Sequence, residues 1–339
     1  MSSDLAERRK RRLLSLWLIA GALVAIAAVT IGIEYRAARP DLASGPVIPG
    51  LQENIRNGQR IIITSAEASY RIERAQRGEQ SVWVMRDRDD YPVLASRLAQ
   101  LTEGLQGLRY TRRMTNDRSK HERLGVGDPR EGGRGVLVQI EDARGALLVN
   151  LILGIEPSGL YVRRPDSDQT WAASGDLPPL RNVATWLQLT PLDLEAERLA
   201  RVEIAPRVGR AYILERESAQ MPWRIASPAL ASLAQSSVTA AAEQITQLSP
   251  VDVRSAPAIQ GQPFARVRAL TFDGVILDAE LIESDGRPWL KLVARAETPE
   301  QEAAALEINN SAAPWAYALD GMEAEGLAPP LGALVPGAE

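Results

Sequence analysis

Cysteine is absent from this 339-residue chain, histidine occurs once, phenylalanine twice and lysine three times. Without thiols no disulfide can staple the fold, and no thiolate can bind a metal or attack a substrate. The lone histidine, His121, removes His-based metal clusters and most His-dependent triads. Stability must therefore come from packing. The three lysines, Lys10, Lys120 and Lys291, stand against 36 arginines, a bias expected of a GC-rich, bacterial coding sequence. What is present, 45% hydrophobic and 24% charged residues, is ordinary globular material, long enough for two domains.

An uncharged apolar run of 21 residues, Leu13 to Ile33, follows the basic cluster Arg8, Arg9, Lys10, Arg11 and Arg12. As a helix it would be roughly 31 Å long, the thickness of a bilayer's hydrocarbon core. Residues 1–12 are expected to stay in the cytoplasm, because positive flanks do. Residues 13–33 are expected to span the inner membrane once, with the bulk of the chain in the periplasm. A cleaved signal peptide has the same basic start but a shorter apolar region and a small-residue cleavage site. Here the small residues Ala37, Ala38, Ala43 and Ser44 come only after Glu34 and Arg36. Arg11-Arg12 resembles a twin-arginine signal only in that pair. Within the run, Gly21, Ala25, Ala28 and Gly32 share one helical face, a pattern that lets a second transmembrane helix pack closely. Net charge is −4 overall and +3 over residues 1–12, leaving −7 on the remainder, which argues against a nucleic-acid partner.

Residues 34–48 read as a Pro/Gly-containing linker, with the folded part starting near Pro49. From there the chain repeats itself. Pro49–Arg74 aligned without gaps on Pro191–Arg216, at an offset of 142, gives seven identities in 26 positions. They are Pro49/Pro191, Glu53/Glu195, Arg56/Arg198, Ile62/Ile204, Tyr70/Tyr212, Glu73/Glu215 and Arg74/Arg216. Trp83 and Trp223 are each expected to close a strand, and Leu94–Leu108 and Ser232–Leu248 to form amphipathic helices. Trp171 and Trp315 are a further matching pair. Period-two alternation, as in Leu147, Val149, Leu151 and Leu153, predicts half-buried strands. Arg144-Gly145, Asp273-Gly274 and Asp285-Gly286 predict hairpin turns. Thr298-Pro299-Glu300-Gln301 predicts a capping box. The expected architecture is α+β: two modules, residues 49–190 and 191–330, each an antiparallel sheet packed by one main helix, with a tail over 331–339.

The motifs in order are Pro49-Gly50-Leu51, Trp83, Tyr91-Pro92, Leu124-Gly125-Val126-Gly127-Asp128-Pro129, Leu153-Gly154 and Gly159-Leu160-Tyr161-Val162-Arg163. In that order and spacing the chain after Ile48 resembles the bacterial exported family known as domain of unknown function 4340. The resemblance implies an accessory role in the cell envelope, since members are often encoded beside gliding-motility-type ABC transporter permeases and substrate-binding-like subunits. It implies no catalytic residues and no cofactor.

Candidate chemistry is thin. His121, between Lys120 and Glu122, reads as a solvated loop residue. Asp87, Asp89 and Asp90 lack the spaced oxygen ligands and glycine of a calcium loop and read as helix caps. Gly125 to Gly135 lacks the Gly-Lys-Ser/Thr of a phosphate loop and reads as a flexible connector. Six cations within 15 residues stand out: Arg109, Arg112, Arg113, Arg118, Lys120 and Arg123. They read either as a solvated loop after a helix or as a patch that grips an acidic protein face, a polyanionic glycan or lipid headgroups. The favoured expectation is a non-enzymatic, membrane-anchored accessory or binding protein with ABC permease subunits as partners. The alternative is an envelope-acting enzyme using carboxylates such as Asp87, Asp128 or Asp176.

Overall fold

A computed structural model describes residues 45–78, 80–228 and 234–334. The apolar run Leu13–Ile33, with Gly21, Ala25, Ala28 and Gly32, lies outside the described residues. Among those described, no helix is long and apolar enough to cross a membrane. The fold is α+β, two antiparallel sheets with few helices.

The first sheet has ten strands: β1 (Gly45–Pro46), β2 (Gly58–Thr64), β3 (Ser69–Arg77), β4 (Gln80–Met85), β5 (Tyr91–Pro92), β6 (Arg109–Arg113), β7 (Val136–Asp142), β8 (Leu147–Glu156), β9 (Gly159–Arg163) and β10 (Thr170–Ser174). Their spatial order is β1-β6-β10-β9-β8-β7-β2-β3-β4-β5. The second has eight: β11 (Leu199–Ala205), β12 (Tyr212–Glu215), β13 (Arg224–Ser227), β14 (Asp252–Ser255), β15 (Pro263–Thr271), β16 (Val275–Ser284), β17 (Arg287–Ala296) and β18 (Trp315–Ala318). These lie in the order β13-β12-β11-β15-β16-β17-β18-β14. Read from opposite ends, the two layouts coincide: β6, β10, β9, β8, β7, β2, β3 and β4 match β14, β18, β17, β16, β15, β11, β12 and β13. Each match also preserves chain order, so one strand plan occurs twice.

The duplicated residues explain themselves on these strands. Tyr70 pairs in register with Ile63, and Tyr212 with Ile204. Both tyrosines are buried, and their hydroxyls donate to Leu180 O at 2.7 Å and Pro329 O at 2.8 Å. The structural counterpart of Ile204 is thus Ile63 and not Ile62, because seven residues separate Ile204 from its register partner Tyr212 and six separate Ile63 from Tyr70. Arg74 and Arg216 lie over Trp83 and Trp223, at 5.2 and 4.5 Å from the ring centroids. Trp83 sits inside β4 and Trp223 just before β13, so neither closes its strand. Glu73 bonds Arg60 and Arg86, while Glu215 meets Arg201 and Arg224.

Helices α1 (Ala95–Gly107) and α2 (Gln235–Glu243) follow the third strand of each plan. Leu98, Leu101 and Leu105 of α1 are buried at helical spacing, each contributing about 1.5–3 kcal/mol. The second plan adds α3 (Glu302–Ala312) before β18 and α4 (Gly321–Leu327) after it, so this sheet carries more than one main helix. Thr298 precedes α3 through a short 3₁₀ turn and makes no side-chain cap, so the expected capping box is not closed. The hairpin turns fall where expected, with Gly145, Gly274 and the pair Asp285-Gly286 at positive φ. The fold already includes residues ahead of Pro49, since Gly45 and Pro46 join the sheet and Val47 is fully buried. It also includes Leu331–Leu334, whose last residue is buried; residues 335–339 lie outside the described ones.

The sheets meet edge to edge. Asp89 and Asp90 cap no helix: they take left-handed φ of 52° and 64° in the turn before β5, and the N-cap of α1 is Leu94, which makes no side-chain cap. That turn clasps the second sheet. Arg88 Nε donates to Asp252 at 2.5 Å, Ser255 N–H donates to Asp89 at 2.8 Å, and Arg254 donates to the carbonyl oxygen of Asp87. Tyr91 stands edge-on to Trp315 at 4.7 Å, and one hydrophobic cluster runs from Val47 to Leu334 through both sheets.

Candidate functional site

Strand β6 carries three of the six cations of the 109–123 stretch, so these residues are not the loop expected after a helix. Leu108 is buried, and Val47 N–H donates to its carbonyl at 3.0 Å, which fixes the start of β6 beside β1. Tyr110 packs on Trp171 at 5.0 Å. A register shift against β10 leaves Thr111 extra, so Arg112 aligns with Ala172 and Arg109 with Ser174, while Tyr110 and Arg113 align with Ala173 and Trp171. Arg109, Arg112 and Arg113 are exposed, and Arg113 donates to Gln169 at 2.7 Å.

The other three cations lie on the loop that runs back over the sheet. Asp117 caps its first turn, accepting from Ser119 N–H at 3.0 Å and the Ser119 hydroxyl at 2.7 Å, with Lys120 at 3.2 Å. These bonds hold the Asp117 carboxyl below its ordinary value. Arg118 pairs with Glu131 at 2.5 Å. Arg109, Arg112 and Arg123 have neither an ion pair nor a side-chain hydrogen bond among the described residues. Arg123 is exposed and precedes Leu124, which packs on the same buried cluster as Ala172, the register partner of Arg112.

Part of this loop is packed against the sheet, while Arg118, Lys120 and Arg123 stay exposed. His121 is buried at 4% exposure, its Nε2 2.9 Å from the carbonyl oxygen of Asp168, which makes Nε2 the donor. Val126 is fully buried with Leu137, Ile152 and Tyr161. The glycines allow backbone to touch backbone. A Cβ on Gly133 or Gly135 would overlap Gly127, and one on Gly154 would overlap the carbonyl oxygen of Leu124. Arg163, buried at 6% exposure, donates Nε to Val126 O at 3.1 Å and Nη1 to the carbonyls of Arg164, Pro165 and Ser167 at 3.3, 3.4 and 3.1 Å. Burial pushes its guanidinium down, and the charges of Asp128 and Asp168 oppose that. Asp128 caps the turn over Pro129–Glu131 and is held below its ordinary value by its bonds with Arg130, at 2.6 and 3.0 Å, against partial burial. The Leu-Gly-x-x-Asp-Pro, Leu-Gly and Gly-x-Tyr-Val-Arg segments therefore meet at one contact. Composition alone missed Arg163 and Gly154 as organising residues, and only their place in the ordered motifs flagged them.

The carboxylates named as alternatives are dispersed. Asp87 accepts Arg71 N–H at 2.7 Å, Asp128 is engaged by Arg130, and Asp176 sits in the loop whose backbone abuts Gly104. Among the described residues no group of three or more His, Asp or Glu is placed to hold a metal. An open depression of about 690 Å³ on the second sheet is lined by salt-bridged pairs such as Arg266–Glu280 and Arg268–Asp278.

A doubled antiparallel plan with a glycine loop clamped onto one sheet by a buried arginine defines a two-sheet α+β protein. The chain belongs to the family described as Domain of unknown function (DUF4340), whose model matches residues 83–263, more than half of the sequence. No curated protein and no solved structure matched the chain.

Proposed function

We propose that the protein is a non-enzymatic accessory or binding subunit of an envelope complex. Leu13–Ile33 anchors it in the bacterial inner membrane, residues 1–12 stay in the cytoplasm, and the two sheets stand in the periplasm. The supporting observation is how its polar side chains are used. His121, Arg163, Asp87 and Asp128 hold backbone or neighbouring side chains in place, while the guanidinium groups of Arg109, Arg112 and Arg123 face outward. That is the economy of a scaffold presenting a surface. By the family resemblance, the partners are an ABC permease and its associated subunits, which the anchor's small-residue face would meet in the bilayer.

The test is genetic complementation with protein levels monitored. Asp87→Asn, Asp128→Asn and Asp176→Asn should complement wherever the protein accumulates, whereas removal of residues 1–33 should abolish complementation. Loss of function from a single Asp→Asn change at normal protein level would instead identify a carboxylate enzyme.

A further inference from the structure

The chain enters the first sheet at β1, and β1 pairs with β6: Gly45 aligns with Tyr110 and Pro46 with Arg109. Eleven residues, 34–44, separate the apolar run from Gly45. Fully extended they reach at most about 40 Å. Glu34 and Asp41 balance Arg36 and Arg39, so this tether adds no net charge of its own. The edge that carries Arg109, Arg112 and Arg113 is therefore the part of the body tied closest to the bilayer. Counted from β6, the opposite edge at β5 is eight spacings away, roughly 38 Å along the sheet at about 4.8 Å each.

Resting on the anchored reading above, we infer that the β6 rim, through Arg109, Arg112 and Arg123, docks on anionic phospholipid headgroups of the leaflet from which the tether emerges. Guanidinium forks grip phosphate oxygens in two-point contacts, and these three have no competing carboxylate partner among the described residues. The acids of the same stretch are occupied, Asp117 by Ser119 and Lys120 and Glu122 by Arg134. The contact sets the tilt of the body: with β6 against the membrane, the clasp at β5 and the whole second sheet extend away from it, toward whatever the complex binds.

The absence of cysteine makes the test clean. A single fluorophore is placed on the full-length protein by Ser174→Cys, beside Arg109 in register, and a control by Val208→Cys, 72% exposed in the link between β11 and β12. Each protein is reconstituted into nanodiscs of phosphatidylcholine alone or mixed with phosphatidylglycerol, with a quencher on some headgroups. Quenching at position 174 should be several-fold stronger in the anionic discs. It should fall to the neutral-disc level in high salt and in R109E/R112E/R123E, while position 208 stays unquenched. The three arginines are exposed, so the triple variant should melt with the wild type, and the salt series on the wild type gives a second readout that needs no variant. Normal insertion with quenching at 174 insensitive to lipid charge, salt and charge reversal overturns the inference and leaves the anchor standing. Failure of the full-length chain to insert overturns the anchor, and the inference with it.

Discussion

The Arg163 guanidinium reaches from β9 to the carbonyl oxygen of Val126, 37 residues earlier, at 3.1 Å, and in doing so pins the glycine loop to the sheet. Three further, partly buried carbonyls share the same side chain, so its loss removes the donor of the buried Val126 carbonyl and of these three. Arg163→Met should cost about 2–4 kcal/mol in denaturant unfolding, and amide exchange should accelerate first over residues 114–135. Arg163→Lys should recover little, because an ammonium cannot reach carbonyls on two sides at once.

Gly154 lies beneath the loop at the same contact, where a methyl group would overlap Leu124 O. Gly154→Ala should destabilise by about 1–3 kcal/mol. Gly132→Ala, with open space around it but φ of 84°, should cost only the left-handed backbone penalty of about 1 kcal/mol. Thermal melts of the two variants separate crowding from backbone strain.

The clasp between the sheets depends on Asp252, which meets Arg88 at 2.5 Å and Arg287 at 3.6 Å. Asp252→Ala should remove about 1–3 kcal/mol and, more diagnostically, split a single unfolding transition into two as the sheets uncouple. Calorimetry reads both effects.

Glu73 gives the fold an acid limit. Partial burial would raise its carboxyl, but the bonds from Arg86 at 2.8 Å and Arg60 at 2.6 Å outweigh that and lower it. A lowered folded-state value means stability that is present above the unfolded carboxylate value of about 4.3 and lost as pH falls through the folded one. Both arginines are substantially exposed, so the effect is about 0.5–1 kcal/mol. Glu73→Gln should be less stable than wild type at pH 7, with the difference closing below about pH 4.

Local chemistry was legible wherever it decides structure locally. Alternation placed the hairpin strands, Gly145, Gly274 and Asp285-Gly286 placed their turns, and the Tyr70/Tyr212 and Arg74/Arg216 pairs exposed the doubled plan. What stayed hidden is tertiary. Gly125 to Gly135 has the composition of a connector, and only the approach of Gly154 and the buried Val126 explains why its glycines are needed. His121 sits between two charged residues, so nothing local reveals its bond to the carbonyl oxygen of Asp168, 47 residues later. Asp89 and Asp90 precede a helix and look like caps, yet Asp89 accepts from Ser255, 166 residues later, and Asp90 accepts from Arg86. The cationic stretch was visible as charge, but its place beside β1, on which the proposed lipid docking rests, follows only from strand pairing.

The central claim, an anchored accessory of a membrane complex, is tested most directly by gentle-detergent purification of the tagged full-length protein from its native membrane, followed by mass spectrometry. A variant lacking residues 1–33 serves as the control. The account predicts stoichiometric recovery of ABC permease and ATPase subunits with the full-length chain and their loss without the anchor. Recovery of the protein alone from both preparations would contradict it.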